Sequence, residues 1–341
     1  MRTVVIESPG TVRVEERPDP GLPGPDGAVI AVEATAICGS DLHFYDGDLP
    51  LFPVAVGHEA VGRIVEVGPD VRRFAVGDRV LVSSVAGCGA CAGCATGDPV
   101  TCVQGGGKVF GAGELGGAQS DLLAVPVADF QLLGVPDDLD DEAALLLTDN
   151  LATGWTAAQR ADVRPGATVV VLGLGAVGLC SVRAAYAAGA ARVLVADPVA
   201  GRRDRAVASG AVALEGPTVE AVLAATDGRG ADAVIDAVAL DATLDDAFGA
   251  VRAGGTVSVV GVHGLAPYPL PILGALFRNV TLRMTTAPIQ STWSTLLPLV
   301  QHGRIDTTGI FTHEFALADA ADAYAAVAAR TADCLKVLMK P

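Results

Sequence analysis

At 341 residues the chain is longer than one ordinary hydrophobic core supports, and it suits two domains. Hydrophobic residues make up 51% of it and charged residues 18%, the balance of a globular protein rather than a disordered or fibrous one. A net charge of −16 repels nucleic acid and anionic membrane surfaces, so neither is an expected partner.

The N-terminal stretch MRTVVIESPG alternates like a strand and lacks the basic-then-apolar pattern of a secretory leader. No apolar run approaches the roughly 20 residues that a membrane helix needs. The thiols of Cys38, Cys180 and Cys334 fit a reducing compartment, which makes the cytoplasm the expected location. Through the first 150 residues, TVVIE, TVRVEE, AVIAVEATAI, AVGRIVEVG and DRVLVS read as short β-branched strands set off by Gly and Pro. One short helix fits GSDLHFY after Ile37. From Asn150 the texture changes. Alanine-rich helical stretches alternate with the strands TVVVLGLG, ARVLVADP, ADAVIDAV, GTVSVVGV and NVTLRMT, the pattern of a parallel sheet covered on both faces. Near Ala287 the alternation stops. A helix over 293–302, a strand over 310–315, a helix over 318–329 and a last strand CLKVLMK follow. The expected organisation is a β-rich domain over 1–150, a doubly wound parallel-sheet domain over 151–286, and a return to the first domain over 287–341.

Four of the seven cysteines, Cys88, Cys91, Cys94 and Cys102, fall in GCGACAGCATGDPVTC. Four thiols so spaced can converge on one tetrahedral ion at about 2.3 Å. A disulfide framework needs a secreted chain, and nothing else here looks secreted. Bacterial ferredoxin spacing ends in a three-residue gap followed by proline, whereas here seven residues separate Cys94 from Cys102 and no proline follows. The expected occupant of the lobe 88–102 is a structural zinc with all four positions filled by protein.

In TVVVLGLGAVGLC, Gly173, Gly175 and Gly178 have the G-x-G-x-x-G spacing between a strand and a helix. The first glycine permits the tight turn, the second lets backbone approach a pyrophosphate, and the third lets helix and strand pack closely. Ala176 and Val177 open the helix whose free amides face the phosphates. Asp197 ends the next strand nineteen residues after Gly178, where a carboxylate accepts the ribose hydroxyls. By itself such an Asp also caps turns. A carboxylate there repels the extra phosphate of NADP, so NAD is expected, although Arg202 and Arg203 lie where a guanidinium can reach a phosphate.

The segments ATAICGSDLHFYDGD, VGHEAVGRIVEVG and LLLTDNLATGW complete the pattern. With the cysteine lobe and the glycine fingerprint, they resemble the zinc-dependent medium-chain alcohol dehydrogenases over essentially the whole chain. The resemblance implies a GroES-like β-rich catalytic domain plus a Rossmann domain, with the active site in the cleft between them. Carried over residue by residue, Cys38 and His58 match the first two ligands of a catalytic zinc. The third, often a cysteine, is here Asp149; thiolate, imidazole and carboxylate still leave zinc(II) formally neutral. Glu59 matches an adjacent carboxylate, read as an exchangeable or outer partner because permanent ligation would leave the site anionic. Lys336 stands where the family often has a basic residue. Taken singly, Cys38 reads as a small core residue, His58 as a satisfied core histidine and Asp149 as a helix cap; it is the joint pattern that points to metal.

The resemblance further implies oxidation of a zinc-held alcohol by hydride transfer to nicotinamide. The proton leaves through Ser40, the nicotinamide ribose and His43, and Thr153 lines the ring. Zinc that lowers a hydroxyl pKa from about 16 toward 7 contributes roughly 12 kcal/mol. General acid–base help alone contributes about 3–5 kcal/mol. Leu49, Phe52, Ser83, Ser84, Leu115 and Trp155 are the expected pocket residues, with room for a primary or secondary alcohol. Polyol, threonine-type and formaldehyde-oxidising or dismutating enzymes are the rivals within the family. A zinc-free quinone reductase would lack the cysteines, and a non-catalytic NAD-responsive binding protein would not need the relay. A homotetramer or homodimer with two zinc ions per chain is expected.

Overall fold

The computed structural model describes residues 1–104 and 107–341. One compact unit comprises Met1–Ala152, Pro288–Gly303 and Thr307–Pro341, and a second comprises Thr153–Ala287 and Arg304–Asp306. The first unit is therefore built from both ends of the chain.

In the first unit the long strand Ala28–Ile37 is the hub of a seven-stranded sheet. Its apolar sequence AVIAVEATAI suits a strand covered on both faces, and eight of its ten residues are buried. It pairs antiparallel with Ala60–Val67 along its length, with Leu122–Val125 near its start and with Val337–Lys340 near its end. Ile30, Val32, Ile64, Val80, Val82, Leu123 and Phe110 fill one core cluster. Val4, Ile6, Ile37, Phe44, Val56, Tyr324 and Met339 fill another. Burial of each large apolar side chain contributes about 1.5–3 kcal/mol, which sets the strand positions and leaves the polar residues at strand ends to follow. Register then decides where chemistry sits. Ile37 pairs with Val337 and Thr35 with Ala60. Cys38 is one residue past Ile37, Lys336 one before Val337 and Glu59 one before Ala60, so all three emerge at the same end of three adjacent strands. The Thr35 hydroxyl donates to the Glu59 carbonyl at 2.7 Å and holds that end together.

The second unit is a parallel six-stranded sheet. Its order is Val212–Ala213, Arg192–Ala196, Thr168–Leu172, Ala231–Asp236, Val251–Val259, Thr281–Met284. Counted along the chain this is 3-2-1-4-5-6, the Rossmann order, with its switch point between Thr168–Leu172 and Ala231–Asp236. The strand TVVVL is wholly buried, as a central parallel strand covered on both faces must be. The helices Ala176–Ala187, Ala200–Ala208, Thr218–Ala225 and Asp241–Ala250 provide the crossovers. The fold is thus α/β, a GroES-like unit and a Rossmann unit.

Some element bounds depart from expectation. Val212–Ala213 is only two residues long and half exposed, so it carries no apolar run to read. The tail helix spans Ile289–Gln301, starting after Pro288 and tolerating Pro298 inside it. The strand expected over 310–315 forms at His313–Ala316, where the chain pairs parallel with Val337–Lys340, and Ile310 and Phe311 are buried ahead of it. Among the described residues no helix is long and apolar enough to cross a membrane.

Candidate functional site

Donor atoms of Cys38, His58, Glu59 and Asp149 all lie within 4.8 Å of one another. Cys38 follows strand Ala28–Ile37 and opens the turn Gly39–Asp41. His58 and Glu59 lead into strand Ala60–Val67. Asp149 fills the junction between helices Asp141–Thr148 and Asn150–Arg160. That junction is fixed by enclosure: Ala144, Leu145, Leu146 and Leu147 are fully buried, and Trp293 Nε1 donates to the Leu147 carbonyl at 3.0 Å. Gly57, ahead of His58, has φ +95°, and a Cβ there would fall 2.4 Å from Gln119 Cγ. Only glycine meets both demands.

Asp149 Oδ2 lies 3.4 Å from Cys38 Sγ and 3.5 Å from His58 Nε2. Ligands held 2.0–2.3 Å from one tetrahedral ion stand about 3.4–3.6 Å apart, so the spacing suits such an ion. Lys336, buried, places Nζ 2.9 Å from Glu59 Oε1 and 3.4 Å from the Ile37 carbonyl. Asn150 Nδ2 donates to Asp149 Oδ2 at 3.0 Å and to Glu59 Oε1 at 3.3 Å. Among the described residues, the buried Glu59 Oε2 has no hydrogen-bond partner. An unpartnered buried carboxylate oxygen is costly unless a cation faces it.

Protonation points the same way. Burial pushes the Cys38 thiol up, and the Asp149 charge adds to it. Burial disfavours a charged His58, yet the Asp41 and Cys38 charges hold its pKa well above the ordinary value. Burial also opposes a charged Asp149, but the hydrogen bond and charge of His58 keep it at about 2. Burial raises Glu59 against the pull of Lys336. The set therefore gathers protons on Cys38 and His58, and a divalent metal would displace them. Thiolate, imidazole and carboxylate are zinc donors, and the residues fit that ion.

Two partners of this cluster escaped the sequence reading. Asp41 Oδ1 lies 3.4 Å from His58 Nδ1, while Oδ2 accepts the Cys38 N–H at 3.0 Å. A carboxylate behind a histidine in this way fixes ring orientation and tautomer. Its signal was in CGSD, where an acid three residues after Cys38 can fold back on the turn. Asn150 carried no signal beyond adjacency to Asp149.

Cys88, Cys91, Cys94 and Cys102 also bring their sulfurs within 4.8 Å of one another, and none is in a disulfide. Cys88 and Cys94 sulfurs are 3.9 Å apart, against about 3.8 Å for a tetrahedral site with 2.3 Å bonds. The helix Ala92–Ala95 and the turn Pro99–Thr101 supply the reversals. Backbone amides of Cys94 and Val103 lower the Cys91 thiol to about 6, and those of Cys88 and Gln104 lower Cys102. Burial pushes Cys94 up to about 12.

In the second unit, Gly173 turns at φ +81°, and a Cβ on Gly178 would fall 1.8 Å from the Gly173 carbonyl oxygen. Nothing lies within 4 Å of a Cβ on Gly175, so the mouth of helix Ala176–Ala187 is open to a phosphate. Asp197 Oδ2 accepts the Leu174 N–H and Oδ1 the Val199 N–H, both at 2.7 Å. A carboxylate has about four acceptor positions, so two remain for hydroxyls. Arg203 Nη1 donates to the Asp197 carbonyl at 2.7 Å, and Arg202 is half-buried on the same helix, Ala200–Ala208. Thr153 lies on helix Asn150–Arg160.

Ser40 sits in the turn Gly39–Asp41. His43 is in helix Leu42–Tyr45 with Nδ1 3.1 Å from Asp48 Oδ2. Phe52 and Leu115 line a cavity of about 370 Å³ together with Arg17 and Leu51. Leu49 packs against the first-unit core, and Trp155 is buried in the second unit. Ser83 and Ser84 follow strand Arg79–Val82 in the first unit. Both are buried, and the Ser83 hydroxyl donates to the Val85 carbonyl at 3.0 Å.

Comparison with known proteins agrees with this architecture. The family profile of the alcohol dehydrogenase GroES-like domain matches residues 24–137, and that of zinc-binding dehydrogenases matches residues 176–302. The chain is 60% identical over 342 residues to a probable zinc-binding alcohol dehydrogenase, Rv1895, of Mycobacterium tuberculosis, covering all of this chain and 89% of that protein. It is 30% identical over 350 residues to a sorbitol dehydrogenase of Bacillus subtilis, covering all of this chain and 97% of that protein. The solved alcohol dehydrogenase TADH from Thermus sp. ATN1 superposes with a TM-score of 0.93 at 34% identity, with 100% of this chain and 99% of that one covered. The chain belongs to the zinc-type alcohol dehydrogenase family of the medium-chain dehydrogenases and is an oxidoreductase of that class.

Proposed function

We propose that the protein catalyses reversible, NAD-linked oxidation of a primary or secondary alcohol at a zinc site held by Cys38, His58 and Asp149. The observation that carries this reading is the convergence of those donor atoms within 4.8 Å. Zinc bound there supplies a Lewis acid worth several kcal/mol toward deprotonating the alcohol. Two anionic ligands and one neutral ligand balance its charge. Asp41 aims the His58 ring, and Lys336 neutralises Glu59, so Glu59 adds no net charge and keeps Oε2 for transient ligation. Ser40 takes the hydroxyl proton and His43 delivers it to water, with Asp48 holding the His43 ring. In the second unit Gly173, Gly175 and Gly178, with the amides of Ala176 and Val177, hold the pyrophosphate, and Asp197 takes the ribose hydroxyls in preference to a phosphate. Thr153 is assigned to the nicotinamide end. Cys88, Cys91, Cys94 and Cys102 hold a second, structural zinc.

Helix Ile272–Phe277 exposes Ile272, Leu273, Leu276 and Phe277 next to the edge strand Thr281–Met284, which supports a homo-oligomer. A polyol is the second reading for the substrate, favoured by the sorbitol dehydrogenase relative. One experiment tests the whole. Zinc is quantified, and reduced cofactor formation is followed with primary alcohols, secondary alcohols and polyols, each with NAD and NADP. Two zinc ions per chain and alcohol-dependent NADH formation are expected. A fully zinc-loaded protein that turns over no alcohol with either cofactor overturns the reading.

A further inference from the structure

We infer that Gln119 and Tyr324 are positioning residues for the Cys38–His58 metal site, acting through Asp41; this rests on the metal-site reading above. Gln119 Nε2 donates to Asp41 Oδ2 at 3.2 Å and to the Ala36 carbonyl at 3.1 Å, and its Oε1 accepts the Tyr324 hydroxyl at 3.0 Å. Asp41 in turn meets Cys38 N–H through Oδ2 and His58 Nδ1 through Oδ1. Tyr324 and Gln119 are fully buried and Asp41 is 2% exposed, so solvent does not replace these bonds.

The amide has one orientation only. Turned over, Oε1 would face the Ala36 carbonyl and the Asp41 carboxylate, two acceptors, which low-dielectric surroundings make costly. Tyr324 holds the correct orientation from the other end, and burial pushes its phenol well above the ordinary range, so it stays a donor. With Oδ2 engaged by Gln119 and the Cys38 amide, Oδ1 is left toward His58. That directs a proton onto Nδ1 and frees Nε2, which faces Asp149 Oδ2, to ligate. Gln119 also packs on Gly57, its backbone N–H donates to the Val56 carbonyl, and Ala118 N–H donates to the Gly57 carbonyl. One residue therefore steadies both the backbone before His58 and the carboxylate behind its ring. Tyr324 comes from helix Ala320–Ala328 and stacks on Tyr45 with ring centroids 5.7 Å apart. The chain of bonds thus joins residues near positions 40, 120 and 324. Pure packing needs no such chain, because apolar side chains of the same volume would fill the space without desolvating three polar groups.

The test uses full-length, zinc-loaded protein and the variants Gln119→Met, which keeps length and removes the donors, and Tyr324→Phe, which keeps the ring. Zinc is withdrawn with a graded chelator, and cobalt exchanged into the site reports ligand geometry by its visible absorption. The four-cysteine cluster serves as internal reference. Gln119→Met should lower affinity at the Cys38–His58 site about 10–100-fold and shift the cobalt bands, with the second metal unaffected. Tyr324→Phe should shift both in the same direction by less, and kcat should fall more than KM rises. If Gln119→Met does not fold, Tyr324→Phe decides alone. Parent-like affinity, within twofold, together with unchanged cobalt bands overturns the inference while the metal site stands. A parent protein whose zinc sits in the four-cysteine cluster alone overturns the site reading and the inference with it.

Discussion

Cys88, Cys91, Cys94 and Cys102 lie within fifteen residues of one another, whereas Cys38 and Asp149 are 111 positions apart. Both clusters bring their donors to the same 4.8 Å, but by opposite means. The lobe is closed by a one-turn helix and a tight turn, and its sulfurs are stabilised by nearby backbone amides. The Cys38 cluster is assembled by strand register and helix burial, and its charges are steadied by side chains from four distant segments: Asp41, Gln119, Asn150 and Lys336. A set of four thiolates fills every coordination position and can only hold structure. A mixed set with an orienting carboxylate, a buried ammonium and an unpartnered carboxylate oxygen has what a reacting centre requires.

The comparison breaks most visibly at the donors. Cys38→Ala or His58→Ala should lower kcat/KM by at least about 10,000-fold, a part of the roughly 12 kcal/mol that zinc contributes to forming the alkoxide, and leave the lobe metal in place. Metal analysis alongside steady-state rates checks it, and near-parent turnover in either variant would sink the division of labour. Lys336→Met comes next. It strands Glu59 at full burial, so unfolding stability should drop by about 3–5 kcal/mol, read by denaturant melts. Adding Glu59→Gln should recover part of that loss; a double variant no better than the single one counts against the pairing. Cys94→Ser should cost about 2–3 kcal/mol and one zinc per chain, while the rate per folded molecule stays within about tenfold of the parent.

The smallest effect concerns pH. In the lobe Cys91 is lowered to about 6 and Cys102 is lowered with it, so among these three thiols only Cys94, pushed up to about 12 by burial, holds its proton against a metal. Cys38 and His58 are both raised, so protons compete there already near neutrality. As pH falls from 8 to 5 in dilute chelator, the Cys38 cluster should release metal first, by about one pH unit. Simultaneous loss, or loss from the lobe first, contradicts the contrast.

Much of the molecule was legible from local pattern. The glycine fingerprint, the run TVVVL and the alternating helices announced the parallel sheet, because period and turn chemistry are local properties. Asp149 and Lys336 were reachable only through the family resemblance, since neither sits in a metal-ligand spacing of its own. Gln119 and Tyr324 were not reachable at all. In LGGAQSD and ADAYAAV each looks like an ordinary polar or aromatic residue, and their partners lie 78 and 205 positions away.

By itself the order of residues determined which atoms are available: seven thiols, a histidine–glutamate pair, a glycine turn and a run of parallel-sheet strands. Whether those atoms meet was decided by the pairing of Ile37 with Val337 and Thr35 with Ala60, which puts Cys38, Glu59 and Lys336 at one end of the sheet. The physical reason is that a donor set has meaning only within a few ångströms. For residues a hundred positions apart, that distance is set by apolar packing and strand register, which no local stretch of sequence encodes.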